Sequence, residues 1–187
     1  MTRKPTDKPT VTSDRLLALI DRMSRLSNSE LRGPDLNPAQ RAALVYLKIS
    51  NRFSRKPSLV AEYLSATRGT VSQTLKALER KGMVEVHKDA SDGRSISYGL
   101  TRKGHEALLE HDADGGLDAM IPPDAAARLE ADLSAILSQA LSARGHRSFG
   151  LCRTCKHHIH VNGDRRCALL DVPLDDTDSA LICAEHA

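Results

Sequence analysis

Apolar residues recur along this chain at two different periods, and the change of period divides it. From Ser13 the spacing is helical: Leu16, Leu19, Ile20, Met23 and Leu26 return every three or four residues, and Asn28, Gly33 and Pro34 end the run. Ser13 suits the cap, since its hydroxyl can accept a backbone N–H that the first turn leaves unpaired. A second helix is predicted from Asn37 to about Ser50, with Asn37 as cap, Pro38 at the first position, and Ala42, Leu44, Val45, Leu47 and Ile49 as apolar surface. Past a basic loop (Arg52, Arg55, Lys56), Pro57 opens a short helix carrying Leu59, Val60, Tyr63 and Leu64. Thr67 caps the next, which carries Val71, Leu75 and Leu78 and stops at Gly82. Only Ser65 and Ala66 part these two, room for no more than a tight turn. The period then becomes two: Val84 and Val86 alternate with Glu85 and His87, and Ile96, Tyr98 and Leu100 with Ser97 and Gly99. Asp92-Gly93 between them marks a hairpin turn. Thr101 caps a further helix with Ala107, Leu108 and Leu109. Beyond Gly115-Gly116 and Pro122-Pro123, a long helix from about Asp124 to Ala143 carries Leu129, Leu133, Ile136, Leu137 and Leu141 as one stripe.

The fold class that follows is mainly α with a small β-hairpin: a winged helix-turn-helix, a helical arm and a small Cys-rich C-terminal module. Charge sharpens the division. The net charge of +3 over 187 residues conceals +2 in residues 1–35, +8 in 36–104, −6 in 105–144 and −1 in 145–187. A basic block on a patterned segment points to a polyanion. The expected organisation is an N-terminal arm without order over 1–12, a helical domain over 13–144 whose DNA-binding core is 36–104, and a Cys-rich tail over 145–187. No window reaches the length of about eighteen apolar residues that a membrane span needs. The polar, basic start lacks the apolar core of a signal peptide. A cytoplasmic location is therefore expected, with the four cysteines reduced. Aromatics make up only 3% of the chain, which argues against a Tyr/Trp-rich binding surface.

With Val71, Leu75 and Leu78 turned inward, the opposite face of their helix carries Gly69, Ser72, Gln73, Lys76 and Arg80. Such a face suits the major groove. Gln73 has the donor–acceptor pair for adenine, Arg68 in the first turn can fork onto guanine, and Thr70 lies beside it. Ser72 and Lys76 can reach phosphates or base edges. A plain amphipathic helix with a solvated face is the alternative, but the adjacent hairpin with Arg94 near its tip and the +8 segment favour DNA.

Residues 36–104 resemble the MarR family of winged-helix transcription regulators. The stretches that carry this are Leu36–Leu44, Val60–Ser65, Gly69–Val84, and above all Asp92-Gly-Arg-Ser95 leading into Leu100-Thr-Arg-Lys-Gly104. The resemblance extends more weakly over about 13–144. It implies a homodimer whose first and last helices intertwine, and a wing arginine, here Arg94, in the minor groove and oriented by Asp92. It also implies a small-molecule effector in a cleft between the DNA-binding lobe and the dimer arm. The breaks at Gly115-Gly116 and Pro122-Pro123 depart from the family pattern. The leucine stripe independently asks for a partner surface, and two recognition helices on a two-fold axis would read half-sites about 34–36 Å apart.

The tail is the larger departure. Cys152 and Cys155 form a CxxC knuckle; Cys167 follows after eleven residues and Cys183 after fifteen more. Four thiolates closing a tetrahedral zinc site is the favoured reading, with His186 as an alternative ligand and His157, His158 and His160 nearby. An iron–sulfur cluster on the same cysteines and metal-free redox thiols are the alternatives. Metal binding could supply the folding energy that so few apolar residues cannot. The expected function is a dimeric, sequence-specific transcription regulator, a repressor, not an enzyme. Two other classes compete: a metalloenzyme with a winged-helix docking domain, for which no catalytic glutamate motif is found, and a winged helix that contacts protein or RNA.

Overall fold

In a computed structural model, residues 13–30, 36–88, 95–109, 120–161 and 163–187 are described. The elements are α1 (Ser13–Glu30), α2 (Pro38–Ile49), a 3-10 turn (Arg52–Ser54), α3 (Pro57–Tyr63), α4 (Arg68–Arg80), β1 (Val84–Lys88), β2 (Ile96–Leu100), α5 (Arg102–Leu109) and α6 (Pro123–Ser142). The C-terminal part adds β3 (Gly150–Leu151), a 3-10 turn (Cys152–Thr154), β4 (His158–Val161), β5 (Asp164–Cys167), β6 (Val172–Pro173), α7 (Asp176–Ala180) and β7 (Ile182–Cys183). The fold is mainly helical with small antiparallel sheets, as the two hydrophobic periods require.

Local chemistry sets the boundaries. Asn37 and Gln40 make a reciprocal capping box at the start of α2, and the Thr67 side chain accepts the Thr70 N–H at the start of α4. Both satisfy amide groups that a helix start cannot satisfy itself. Gly82 leaves α4 in the left-handed region at φ +68. Thr101 then accepts the Gly104 N–H and donates to the Gly82 carbonyl, locking α5 against the end of α4. The hairpin pairs Val84 with Leu100 through Lys88 with Ile96, in antiparallel register.

The core lies between α2, α3, α4 and the hairpin. Leu44, Tyr46, Leu47, Val60, Leu75 and Leu78 are wholly buried. Each such leucine contributes about 1.5–3 kcal/mol, so three anchors on one side hold α4 while its other side stays free to be polar. Helices α1 and α6 behave differently. No residue of α6 is buried, and Leu16, Leu19, Ile20, Met23 and Leu26 of α1 stay exposed. Among the described residues no helix is long and apolar enough to cross a membrane.

The C-terminal segment carries two small sheets, β3–β7 and β4–β5–β6, and it shares the core of the lobe: Phe149 and Ala184 lie in the same buried cluster as Leu44 and Tyr46. Phe149, itself at φ +52, meets Tyr46 and Tyr63 edge-on at 6.1 and 5.3 Å. Three of the five aromatics, Tyr46, Tyr63 and Phe149, thus join the tail to the lobe.

Candidate nucleic-acid interface and cysteine module

Helix α4 is anchored by Val71, Leu75 and Leu78; its opposite side presents Gln73 and Lys76 to solvent, Arg68 and Thr70 are exposed in its first turn, and Ser72 is half-buried. Thr70 is tied to its cap, the two threonine hydroxyls lying 2.9 Å apart. The hairpin lies beside α4, and Met83 and Val84 enter the same core. Asp92 and Arg94 lie outside the described residues, as do Gly115 and Gly116.

The four cysteines converge. Cys152, Cys167 and Cys183 are buried in one cluster with Leu174, and Phe53 and Val172 pack on it; Cys155 is half-buried. Backbone geometry draws the sequence-distant members together. The Cys152 N–H donates to the Leu181 carbonyl, Gly150 pairs with Cys183, and His158 pairs with Cys167. Two amides aim at sulfur: His157 N–H at Cys155 Sγ (3.5 Å) and Glu185 N–H at Cys183 Sγ (3.4 Å). All four cysteines are free. Burial, then the neighbouring Cys183, Cys167 and Cys155, push the Cys152 thiol up to about 11. A cation among them would reverse that preference, because a metal-bound thiol is deprotonated. Among the described residues no group of three or more His, Cys, Asp or Glu side chains is arranged to hold a metal ion as it stands.

His186 is engaged elsewhere. Its Nε2 lies 2.9 Å from Thr154 Oγ1, and its ring covers Gly150 so closely that a Cβ there would sit 2.5 Å away. Burial lowers its pKa. His158 faces Ser179 (3.1 Å) and lies edge-on to His160. A cleft of about 420 Å³ separates α6 from the tail, lined by Ser134, Leu137, Phe149, Leu151, Ile182 and His186 among others.

Sequence reasoning missed the 3-10 turn. Asn51 and Ser54 are buried, although they stand in a polar, basic stretch. The signal that marks the turn is Phe53, a lone aromatic among Arg52, Ser54 and Arg55.

A three-helix lobe with an exposed polar helix and an adjoining antiparallel hairpin is a winged helix-turn-helix. Residues 35–95, about a third of the chain, match the model of the MarR family. It is similar to the transcriptional repressor MprA of Escherichia coli K12, 30% identical over 83 residues that make up 44% of this chain and 47% of MprA. The chain thus spans about half the length of the curated relatives it matches. Apo MarR from Escherichia coli superposes with TM-score 0.53 at 25% identity, over 68% of this chain and 98% of MarR. A mutant MarR complexed with operator DNA superposes with TM-score 0.51 at 25% identity, over 66% and 92%. MprA is a transcriptional repressor, and the MarR structures, one of them in complex with operator DNA, share the fold.

Proposed function

We propose that this chain is a sequence-specific DNA-binding transcription regulator, a repressor, that works as a homodimer in the cytoplasm. The observation that carries this is α4: three buried anchors on one side, Gln73 and Lys76 exposed on the other, and Arg68 and Thr70 exposed in its first turn. Arg68 and Gln73 read base edges, while Ser72 and Lys76 position the helix on the backbone. Arg94 reaches the minor groove. The unburied apolar faces of α1 and α6 support a second copy as their partner. The cleft beneath α6 has a volume suited to a small-molecule effector.

The cysteine module holds one metal per subunit on Cys152, Cys155, Cys167 and Cys183, with zinc as the ion. The clustering of Cys152, Cys167 and Cys183, with Cys155 near Cys152, and the two N–H groups aimed at Cys155 and Cys183 support this. An iron–sulfur cluster on the same thiols is the second reading, and its visible absorption in protein purified without air separates the two.

Selection from a random duplex library followed by fluorescence anisotropy tests the DNA reading. Log K should fall linearly with log salt, as expected when lysines and arginines displace counterions. Gln73→Ala and Arg94→Ala should each cost about 1–3 kcal/mol of specific binding. Lys76→Ala should weaken all duplexes alike and flatten the salt slope. Failure to enrich any sequence, or unchanged affinity in all three variants, would remove α4 and the wing from the interface.

A further inference from the structure

The cysteine module and the wing are fastened to the same six residues. On one side, the Asn51 N–H donates to the Ile182 carbonyl (2.9 Å), and the Ala184 N–H donates to Ser54 Oγ (2.9 Å). That hydroxyl donates onward to Asn51 Oδ1 (2.8 Å). Phe53 packs on the cluster of Cys152, Cys167 and Cys183. Arg52 lies over the Phe53 ring at 4.8 Å and reaches Asp178 (3.1 Å) and the Pro173 carbonyl (3.0 Å). The turn is therefore one wall of the module.

On the other side, the Arg55 guanidinium donates twice to the Ser50 carbonyl, from Nε at 3.0 Å and from its terminal nitrogen at 2.8 Å. The Arg55 carbonyl in turn accepts the N–H of Tyr98, in the middle of β2 (3.0 Å). The Tyr46 hydroxyl donates to the Ser54 carbonyl from beneath. A continuous run of mostly buried hydrogen bonds thus leads from Ala184, next to Cys183, to the strand that carries the wing. The run has little slack, because buried polar groups have few other partners to turn to. It is also held at a cost: Ser50 Oγ and Asn51 Nδ2 are buried without a hydrogen-bond partner among the described residues. A segment of that kind keeps its shape only while its surroundings, the module included, keep theirs.

We infer that metal ligation in the cysteine module sets the wing for DNA, through the segment from Ser50 to Arg55. This rests on the reading of the four cysteines as a metal site. With the metal bound, the module walls the turn in place and the Arg55 carbonyl holds β2. Without it, the turn relaxes, the Tyr98 N–H is released, and operator affinity falls. Linkage makes the effect reciprocal: operator DNA tightens metal binding by the same factor.

The test uses full-length protein purified without air, with its metal counted by native mass spectrometry. A duplex chosen from the random library is titrated against metal-loaded protein, against protein stripped by a chelator, and again after zinc is restored. Stripping should weaken binding at least about fivefold, the lower end for coupled sites, and zinc should restore it. Amide exchange at Tyr98, read by NMR, should quicken on stripping. Ser54→Ala should keep its metal and the DNA affinity of the loaded form, yet lose the dependence of one on the other. Because Ser54 is buried, zinc affinity of the wild-type protein with and without duplex provides a second measure that needs no variant. Wild-type protein free of metal would bring down the metal reading and this inference together. Metal-bearing protein whose operator affinity is unchanged or raised on stripping would overturn the inference alone. A Ser54→Ala variant that keeps the full metal dependence would likewise overturn it.

Discussion

Two glycines in the lobe show how differently single positions are constrained. A Cβ on Gly99 would meet the tip of the His87 ring at 2.5 Å, and that exposed side chain can swing away. A Cβ on Gly104 would meet the Met83 carbonyl at 2.1 Å, which is backbone pinned by the Thr101 N–H it accepts. Gly104→Ala should therefore cost about 1–3 kcal/mol, the usual range for overpacking. Gly99→Ala should stay within about 0.5 kcal/mol. Urea unfolding followed by circular dichroism measures both, and equal midpoints for the two variants would contradict the close approach of α5 to the end of α4. Residues of this kind were partly legible in the sequence. Asn37, Thr67, Gly82 and Thr101 announced themselves because capping is a local event, settled within four residues. Ser54 did not. Its burial is imposed by Ala184, 130 residues further on, and no period or turn signal in its own neighbourhood encodes that.

The elements separate into those finished within the chain and those that are not. Helices α2 and α4 bury their apolar sides, whereas α1 and α6 keep leucines in water: Leu19 is 48% exposed and Leu133 43%. Isolated helices owe most of their stability to a packed apolar face, so these two need one. In a two-fold interface each substitution counts twice. Leu133→Asp should therefore remove about 3–6 kcal/mol from association, at about 1.5–3 kcal/mol per leucine. That is roughly a hundredfold to ten-thousandfold in the dimer dissociation constant. Light scattering against concentration reads the change directly, and an unaltered mass at micromolar protein would show that α6 is covered by something other than a second copy. The stripe itself was plain in the sequence, since period 3.6 survives whatever the helix later packs on. Whether its partner is the same chain was not, because periodicity marks an apolar face without naming what meets it.

At the scale of the whole molecule, the tail is part graft and part freer module, and under the proposed metal reading the two parts should respond differently to loss of a ligand. Strands β3 and β7 sit on the seam, held by Phe149 against Tyr46 and Tyr63, by Asn51 and Ser54, and by Arg147 bridging Glu62 and Glu185. The β4–β5–β6 sheet is held more lightly, by Arg52 on the Pro173 carbonyl and by Phe53 on the cysteine cluster: among its described residues Ile159, His160 and Val161 are exposed, and its main buried residue is Cys167. Cys167 is therefore the stitch between the sheet and the other three cysteines. Cys167→Ser should lower metal content and loosen the sheet first. Trypsin should then cut at Arg165 and Arg166, half-buried in the folded chain, faster than at Arg147, with the helix content and mass of the assembly unchanged. Reading the sequence alone, one expects the entire stretch from residue 145 to collapse together, because composition shows four cysteines and few apolar residues but not the aromatic seam. Cleavage beginning at Arg147 would favour that simpler picture. A Cys167→Ser protein with full metal and wild-type resistance to trypsin would take Cys167 out of the site altogether.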